Sequence, residues 1–152
     1  MIQNERQYLV TKTKIQDLEQ ALLTLECDRE LAADSHPRLI KMQKLALESQ
    51  IQTMYAELSE YESLKNGTAK ISISRLEELP IVLIKARIAA GMTQKELAER
   101  IGIKEQQIQR YEANQYQAVG FDRLLEIATS LGIKLMDEVV FQHDSNNLYS
   151  VI

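Results

Sequence analysis

The chain has 152 residues, with 18 Lys and Arg against 22 Asp and Glu, for a net charge of −4. That length holds one or two small domains, and the acidic balance gives no support to general nucleic-acid affinity. A single cysteine, Cys27, rules out a disulfide framework and fits a reducing cytosol; it reads as a small, half-buried helix residue. No apolar run approaches the ~20 residues a membrane span needs. Residues 1–6 are polar and include an acid, so no signal peptide is expected and the protein is placed in the cytoplasm.

Residues 1–67 are expected to form an antiparallel helical hairpin. Tyr8, Thr11, Ile15, Leu18, Leu22 and Leu25 recur at alternating intervals of three and four, a heptad seam along one long helix. Asp34-Ser35-His36-Pro37 interrupts it, and Pro37 suits the first position of a second helix, with Ser35 or His36 as its cap. That helix carries its own seam, Ile40, Leu47, Ile51, Met54, Leu58 and Tyr61, and Asn66-Gly67 closes it with a left-handed cap. Each helix has a second apolar set: Leu9, Val10, Leu23 and Leu31 on the first, Leu39, Met42, Leu45 and Tyr55 on the second. A lone hairpin would leave that set wet, so pairing with another chain or folding back onto the rest of the protein is expected to cover it.

Residues 68–79 read as a linker. Its Ile71/Ile73 alternation suggests a short strand, and Ser74 with Glu77 suggests a capping box before a turn that Pro80 ends or restarts. Residues 134–152 read as an extended tail, in which 134–141 could pair with the linker as a small sheet.

Between them, residues 80–133 carry the strongest signal. Thr93 can cap a helix, and Glu96, three residues on, completes a capping box. Leu97, Ala98 and Ile101 form the apolar stripe of that helix, Gly102 ends it, and Ile103 is placed to plug the corner. A second helix follows from about Lys104 to Ala113. Ile108 and Tyr111 are its apolar pair, leaving Lys104, Gln106, Gln107, Gln109 and Arg110 to project outward. Amide-rich helix faces can form bidentate hydrogen bonds to adenine edges in a major groove.

This segment resembles the helix-turn-helix domain of the XRE family, the class of Cro and phage repressors. The resemblance rests on Arg87-Ile-Ala-Ala-Gly91-Met-Thr-Gln94, Glu96-Leu-Ala98, Ile101-Gly-Ile103, Ile108 and Glu112, closed by Leu124-Leu-Glu-Ile-Ala128 and Leu131-Gly-Ile133. It implies a bundle of four or five helices behind the hairpin, in a mainly α protein with possible short flanking strands. It also implies roles. Gln94 would meet a phosphate and brace the recognition helix. Glu105, Gln106 and Arg110 would contact bases, with Gln107 and Gln109 as flanking candidates. Arg87 and Glu112 would form a partly buried structural ion pair.

The chain departs from that family after the recognition helix. Where a Gly and basic residues are usual it has Ala113-Asn-Gln-Tyr-Gln-Ala-Val119. Asn114 is expected to supply the left-handed turn, and fewer phosphate contacts are expected. Within residues 85–123 there are seven basic and five acidic side chains, so one copy should bind DNA weakly. A homodimer reading a palindrome is the natural remedy.

Enzyme chemistry finds little support. His36 and His143 lie in unrelated segments, no metal-ligand spacing occurs, and no glycine-rich phosphate loop is present, so no cofactor or metal is expected. The expectation is a DNA-binding transcriptional regulator acting on double-stranded DNA, a repressor by preference, with three settings. It could be an antitoxin whose hairpin holds a toxin protein, a phage- or plasmid-type repressor without one, or an adaptor that has lost DNA binding.

Overall fold

The structure, a computed structural model, describes residues 1–31, 37–73 and 75–133. The expectations for the Asp34-Ser35-His36 turn, the Ser74 cap, the extended segment 134–141, His143 and the tail lie outside the described residues, as does the side chain of Leu31.

Two long helices open the chain, α1 (Glu5–Leu31) and α2 (Pro37–Lys65). Pro37 is the first residue of α2, where its missing N–H costs nothing. Gly67, at φ 69°, ends α2: the Thr68 N–H donates to the Ser63 carbonyl (3.0 Å), the six-to-one bond of a left-handed cap. The heptad reading places the interior of the hairpin. All twelve seam residues are buried or half-buried, with Ile15, Leu58 and Tyr61 innermost. Tyr8 stacks on Tyr61 with ring centroids 5.4 Å apart. Polar pairs along the rim match the two helices antiparallel: Lys44 with Glu26 (2.5 Å), the Tyr55 hydroxyl with Glu19 (2.8 Å), and Lys65 with Glu5 (2.8 Å).

A 3₁₀ turn (Leu76–Glu78) leads directly into α3 (Leu79–Ala89), so Pro80 restarts a helix within its first turn. Then come α4 (Gln94–Arg100), α5 (Glu105–Ala113) and α6 (Phe121–Ser130). Leu83, Ile84, Leu97, Ile108 and Ile127 are fully buried at the centre of this bundle. No strand forms among the described residues; Ile71 and Ile73 are half-buried without ladder partners, and Ile71 packs on the core.

The base of the hairpin and the bundle share one core. Ile2, Ile15, Leu58, Tyr61 and Leu64 belong to the same buried cluster as the residues of α3 to α6. Lys85 of α3 pairs with Glu60 of α2 at 2.6 Å. Beyond that base the hairpin stands clear, and its second apolar set is not covered by folding back. Leu23, Leu39, Met42 and Leu45 are 55%, 57%, 68% and 55% exposed. Cys27, expected to be half-buried, is exposed on α1, because it falls outside the heptad seam.

Candidate nucleic-acid interface

The corner between α4 and α5 is built from local choices. Thr93 caps α4: its hydroxyl accepts from the Glu96 N–H (3.1 Å), and the Glu96 carboxylate accepts from the Thr93 N–H (2.7 Å). The Thr93 N–H and then the Thr93 hydroxyl, which also donates to the carboxylate (2.8 Å), hold the Glu96 carboxyl below its ordinary pKa. At the far end Gly102 sits at φ 70° and the Ile103 N–H returns to the Ala98 carbonyl at 2.9 Å. Ile103 is half-buried against the core, as its place at the corner requires. Lys104 is the N-cap residue of α5, one position before the first helical residue, and its N–H meets the Gln107 side-chain carbonyl at 3.4 Å.

The side chains of α5 then divide by face. Ile108 and Glu112 are buried, and Gln107 and Tyr111 half-buried. Lys104, Glu105, Gln106, Gln109 and Arg110 are exposed. Gln109 donates to Glu105 at 2.9 Å, one turn apart, which leaves that amide partly engaged. Gln106 and Arg110, also one turn apart, make no hydrogen bond or ion pair within the chain among the described residues. Their donors and acceptors are free for a duplex.

Behind this face lies a buried polar network. Arg87 is 2% exposed and Glu112 fully buried, and they meet through two parallel bonds of 2.6 and 2.7 Å. Arg87 also donates to the Met92 carbonyl (2.7 Å) and to the Gln3 carbonyl (2.7 Å). Gln94 is buried too, and both ends of its amide are engaged inside the protein: it donates to Glu112 (2.8 Å) and accepts from Asn4 (3.2 Å). These bonds tie Gln94 to α5 and to Asn4, while its expected contact with a phosphate remains a reading of the DNA interface. Each buried side-chain polar atom of Arg87, Glu112 and Gln94 has a hydrogen-bond partner, and these bonds tie α5 to α3 and α4.

Gln3 and Asn4 belong to this network and were not singled out in the sequence. Gln3 donates from its side chain to the Glu112 carbonyl at 3.0 Å. Asn4 caps α1 through its oxygen, which accepts from the Gln7 N–H at 2.9 Å, and reaches Gln94 through its nitrogen. The amide supplies an acceptor oxygen and a donor nitrogen from one short side chain, so Asn4 can meet both partners. The cap was legible in Asn4-x-x-Gln7; nothing in the spacing announced its second partner ninety residues on.

The loop after α5 departs from expectation. Asn114 has φ −96° and is not left-handed. Gln115, Tyr116 and Ala118 take that conformation instead, at φ 49°, 56° and 61°. The reason is the Tyr116 ring, which is buried beside Tyr111 (centroids 6.2 Å apart) and sets where the backbone must turn. Its hydroxyl has no hydrogen-bond partner among the described residues, and burial pushes its pKa up.

Among the described residues no cluster of His, Cys, Asp or Glu could hold a metal ion, and no helix is long and apolar enough to cross a membrane.

Comparison with known proteins agrees with the geometry of α3 to α6. The family described as Helix-turn-helix matches residues 83–137. No curated protein and no solved structure gives a match. The matched stretch contains the capped corner, the exposed face of α5 and the Arg87–Glu112 brace. The family is one of DNA-binding transcription regulators, and the chain carries its XRE-type helix-turn-helix domain in residues 83–137.

Proposed function

We propose that the protein is a repressor that binds a palindromic operator as a homodimer, with α5 of each copy in a major groove. The observation that carries this reading is the pair Gln106 and Arg110. They share one exposed face of α5, have no partner within the chain among the described residues, and stand on a helix anchored by a buried, bidentate ion pair. Arg suits the two acceptors of guanine and Gln the acceptor and donor of adenine. Glu105 is exposed on the same helix and could accept from cytosine, while Lys104 and Gln109 flank them; Gln94 and Gln107 support the helix from inside. Two copies would space their recognition helices about 34 Å apart, one turn of the duplex. The protein acts on this reading as a cytoplasmic regulator without catalytic chemistry.

Selection from random duplexes with the purified protein is expected to return a palindrome. Gln106→Ala and Arg110→Ala should each weaken binding by about 1–3 kcal/mol and relax preference at separate base pairs. Recovery of no preferred site, or normal binding by both variants, overturns the proposal.

A second reading concerns the partner of the hairpin. The exposed Leu23, Leu39, Met42 and Leu45 sit far from the bundle core, where a protein partner could dock without touching the DNA face. A second copy of the hairpin fits the dimer; a toxin held by that surface would make the protein an antitoxin repressing its own operon. A small toxin-like reading frame next to this gene, co-purifying with the protein and lost on changing Leu39 and Met42 to Lys, favours the antitoxin. A homodimer that the same changes dissociate favours the plain repressor.

A further inference from the structure

The carboxylates that make this chain acidic are unevenly placed along the hairpin. Positions 5–16 of α1 carry Arg6, Lys12 and Lys14 against Glu5 alone, whereas Asp17, Glu19, Glu26, Asp28 and Glu30 follow with only Arg29 to balance them. At 1.5 Å of rise per residue, Glu26 lies roughly 30 Å along α1 from its start. Charges that far off are screened, because the Debye length at physiological ionic strength is about 8 Å. Near the base the carboxylates are largely committed: Glu5 to Lys65 (2.8 Å), Glu60 to Lys85 (2.6 Å) and Glu62 to the Tyr8 hydroxyl (2.6 Å). The net charge of −4 therefore says little about the field beside α5.

An open cleft of about 790 Å³ separates the first turns of α1 from α5. Arg6, Gln7 and Val10 line one wall, and Glu105, Gln109 and Ala113 line the other. Arg6, Val10 and Lys14 follow one another at intervals of four, so they share one face of α1. Arg6 and Lys14 are exposed and make no ion pair among the described residues. The wall is fixed relative to α5, since Gln3 and Asn4, just before α1, are bonded to Glu112, Arg87 and Gln94.

We propose that this face of α1 is a phosphate-contacting arm, in which Arg6 and Lys14 hold the sugar–phosphate strand bordering the groove that α5 enters. The inference rests on the DNA reading given above. A duplex seated on Gln106 and Arg110 has one backbone running past Glu105 and Gln109 and hence along the cleft. Glu105 repels a phosphate laid against α5, so the backbone favours the α1 wall. The arm restores the cations that the loop 114–119 lacks.

The test uses the full chain and its selected duplex, with affinity measured across a range of salt. Arg6→Gln with Lys14→Gln is expected to lower the slope of log K against log salt by about 0.9 per lost phosphate contact, just under 2 per subunit. Base preference and thermal unfolding should be unchanged. The control is Arg38→Gln with Lys41→Gln near the hairpin tip, which removes the same charge and should leave the slope alone. If the tip variant lowers the slope as much, general charge accounts for the effect and the arm is refuted. An unchanged slope, or tighter binding, in the Arg6/Lys14 variant also refutes the arm while leaving the DNA reading intact. If the unaltered protein shows no salt-dependent binding, the DNA reading itself falls and takes the arm with it.

Discussion

The two turns that bracket the recognition helix are built on opposite terms. The one before α5 satisfies its local rules: a glycine occupies the left-handed position at residue 102, and the Ile103 N–H is bonded back into α4. The one after α5 puts Gln115, Tyr116 and Ala118 in left-handed backbone, which costs an ordinary L-residue about 1–2 kcal/mol. It is closed by the same kind of bond, from the Tyr116 N–H to the Tyr111 carbonyl (2.6 Å), and by the buried Tyr116 ring. Both turns are closed by local bonds; they differ in that a glycine takes the left-handed position before α5, whereas residues with side chains take it after α5, around a buried ring. Between the turns, the Arg87–Glu112 pair makes the position of α5 independent of either.

The largest effect expected comes from breaking that independence. Glu112→Gln leaves Arg87 buried without a counter-charge and should cost about 3–5 kcal/mol, read as a shift in the urea midpoint. Replacing both partners by apolar residues of similar volume, Arg87→Met with Glu112→Leu, should cost less than either single change. A Glu112→Gln cost below about 1 kcal/mol would mean that α5 is held mainly by Ile108 and its neighbours, and that the ion pair is incidental.

A smaller effect of opposite sign is expected at the second turn. The Tyr116 hydroxyl is buried and has no partner among the described residues, a condition that costs about 1–3 kcal/mol. Tyr116→Phe keeps the ring on Tyr111 and should raise stability by about 1 kcal/mol. Destabilisation would show that the hydroxyl has a partner, and would narrow the contrast between the turns.

Exchanging glycine for alanine probes the contrast directly. Gly102→Ala should cost about 1 kcal/mol, because nothing crowds the new methyl and only the backbone conformation opposes it. Ala118→Gly should gain about half as much, since the added freedom of the unfolded chain offsets part of the relief. If the two changes have the same sign, strain is not what separates the turns.

The same contrast explains how much of the molecule was legible in its sequence. The Thr93–Glu96 box, Gly102 and the hairpin seams are matters of local spacing, and each stands where the spacing put it. The exposed second apolar set was legible for the same reason, being the remainder after a heptad seam is assigned. Asn114 misled, because its tolerance of left-handed backbone is a local preference and the position of Tyr116 overrode it. The roles of Gln3 and Asn4 were invisible, since their partners Glu112 and Gln94 are about ninety or more residues away. On the proposed DNA face, spacing separated the exposed Gln106 and Arg110 from the buried Ile108. It could not show that Gln107 turns back onto Lys104 and that Gln109 is tied to Glu105.

The smallest effect expected is in pH, and it separates the turns by the direction of titration. Glu96 has a folded pKa below its ordinary 4.5, because the Thr93 N–H and then the Thr93 hydroxyl bond the ionised form. A depressed pKa contributes stability that is present above the unfolded value and lost as pH falls through the folded one. Acid should therefore loosen the start of α4, and Glu96→Gln should flatten that limb of the stability profile. Tyr116 behaves in the reverse sense. Burial raises its pKa above 10.0, so the phenol stays neutral in the folded protein while the unfolded chain ionises. Stability then falls as pH climbs past 10, and Tyr116→Phe should reduce the slope there. It will not abolish it, since Tyr8, Tyr55 and Tyr61 are also raised, by Glu62, Glu19 and burial respectively. Acid sensitivity assigned to Glu96 and alkaline sensitivity assigned to Tyr116 would show the same division by titration: a locally bonded turn before α5 and a packed, strained one after it.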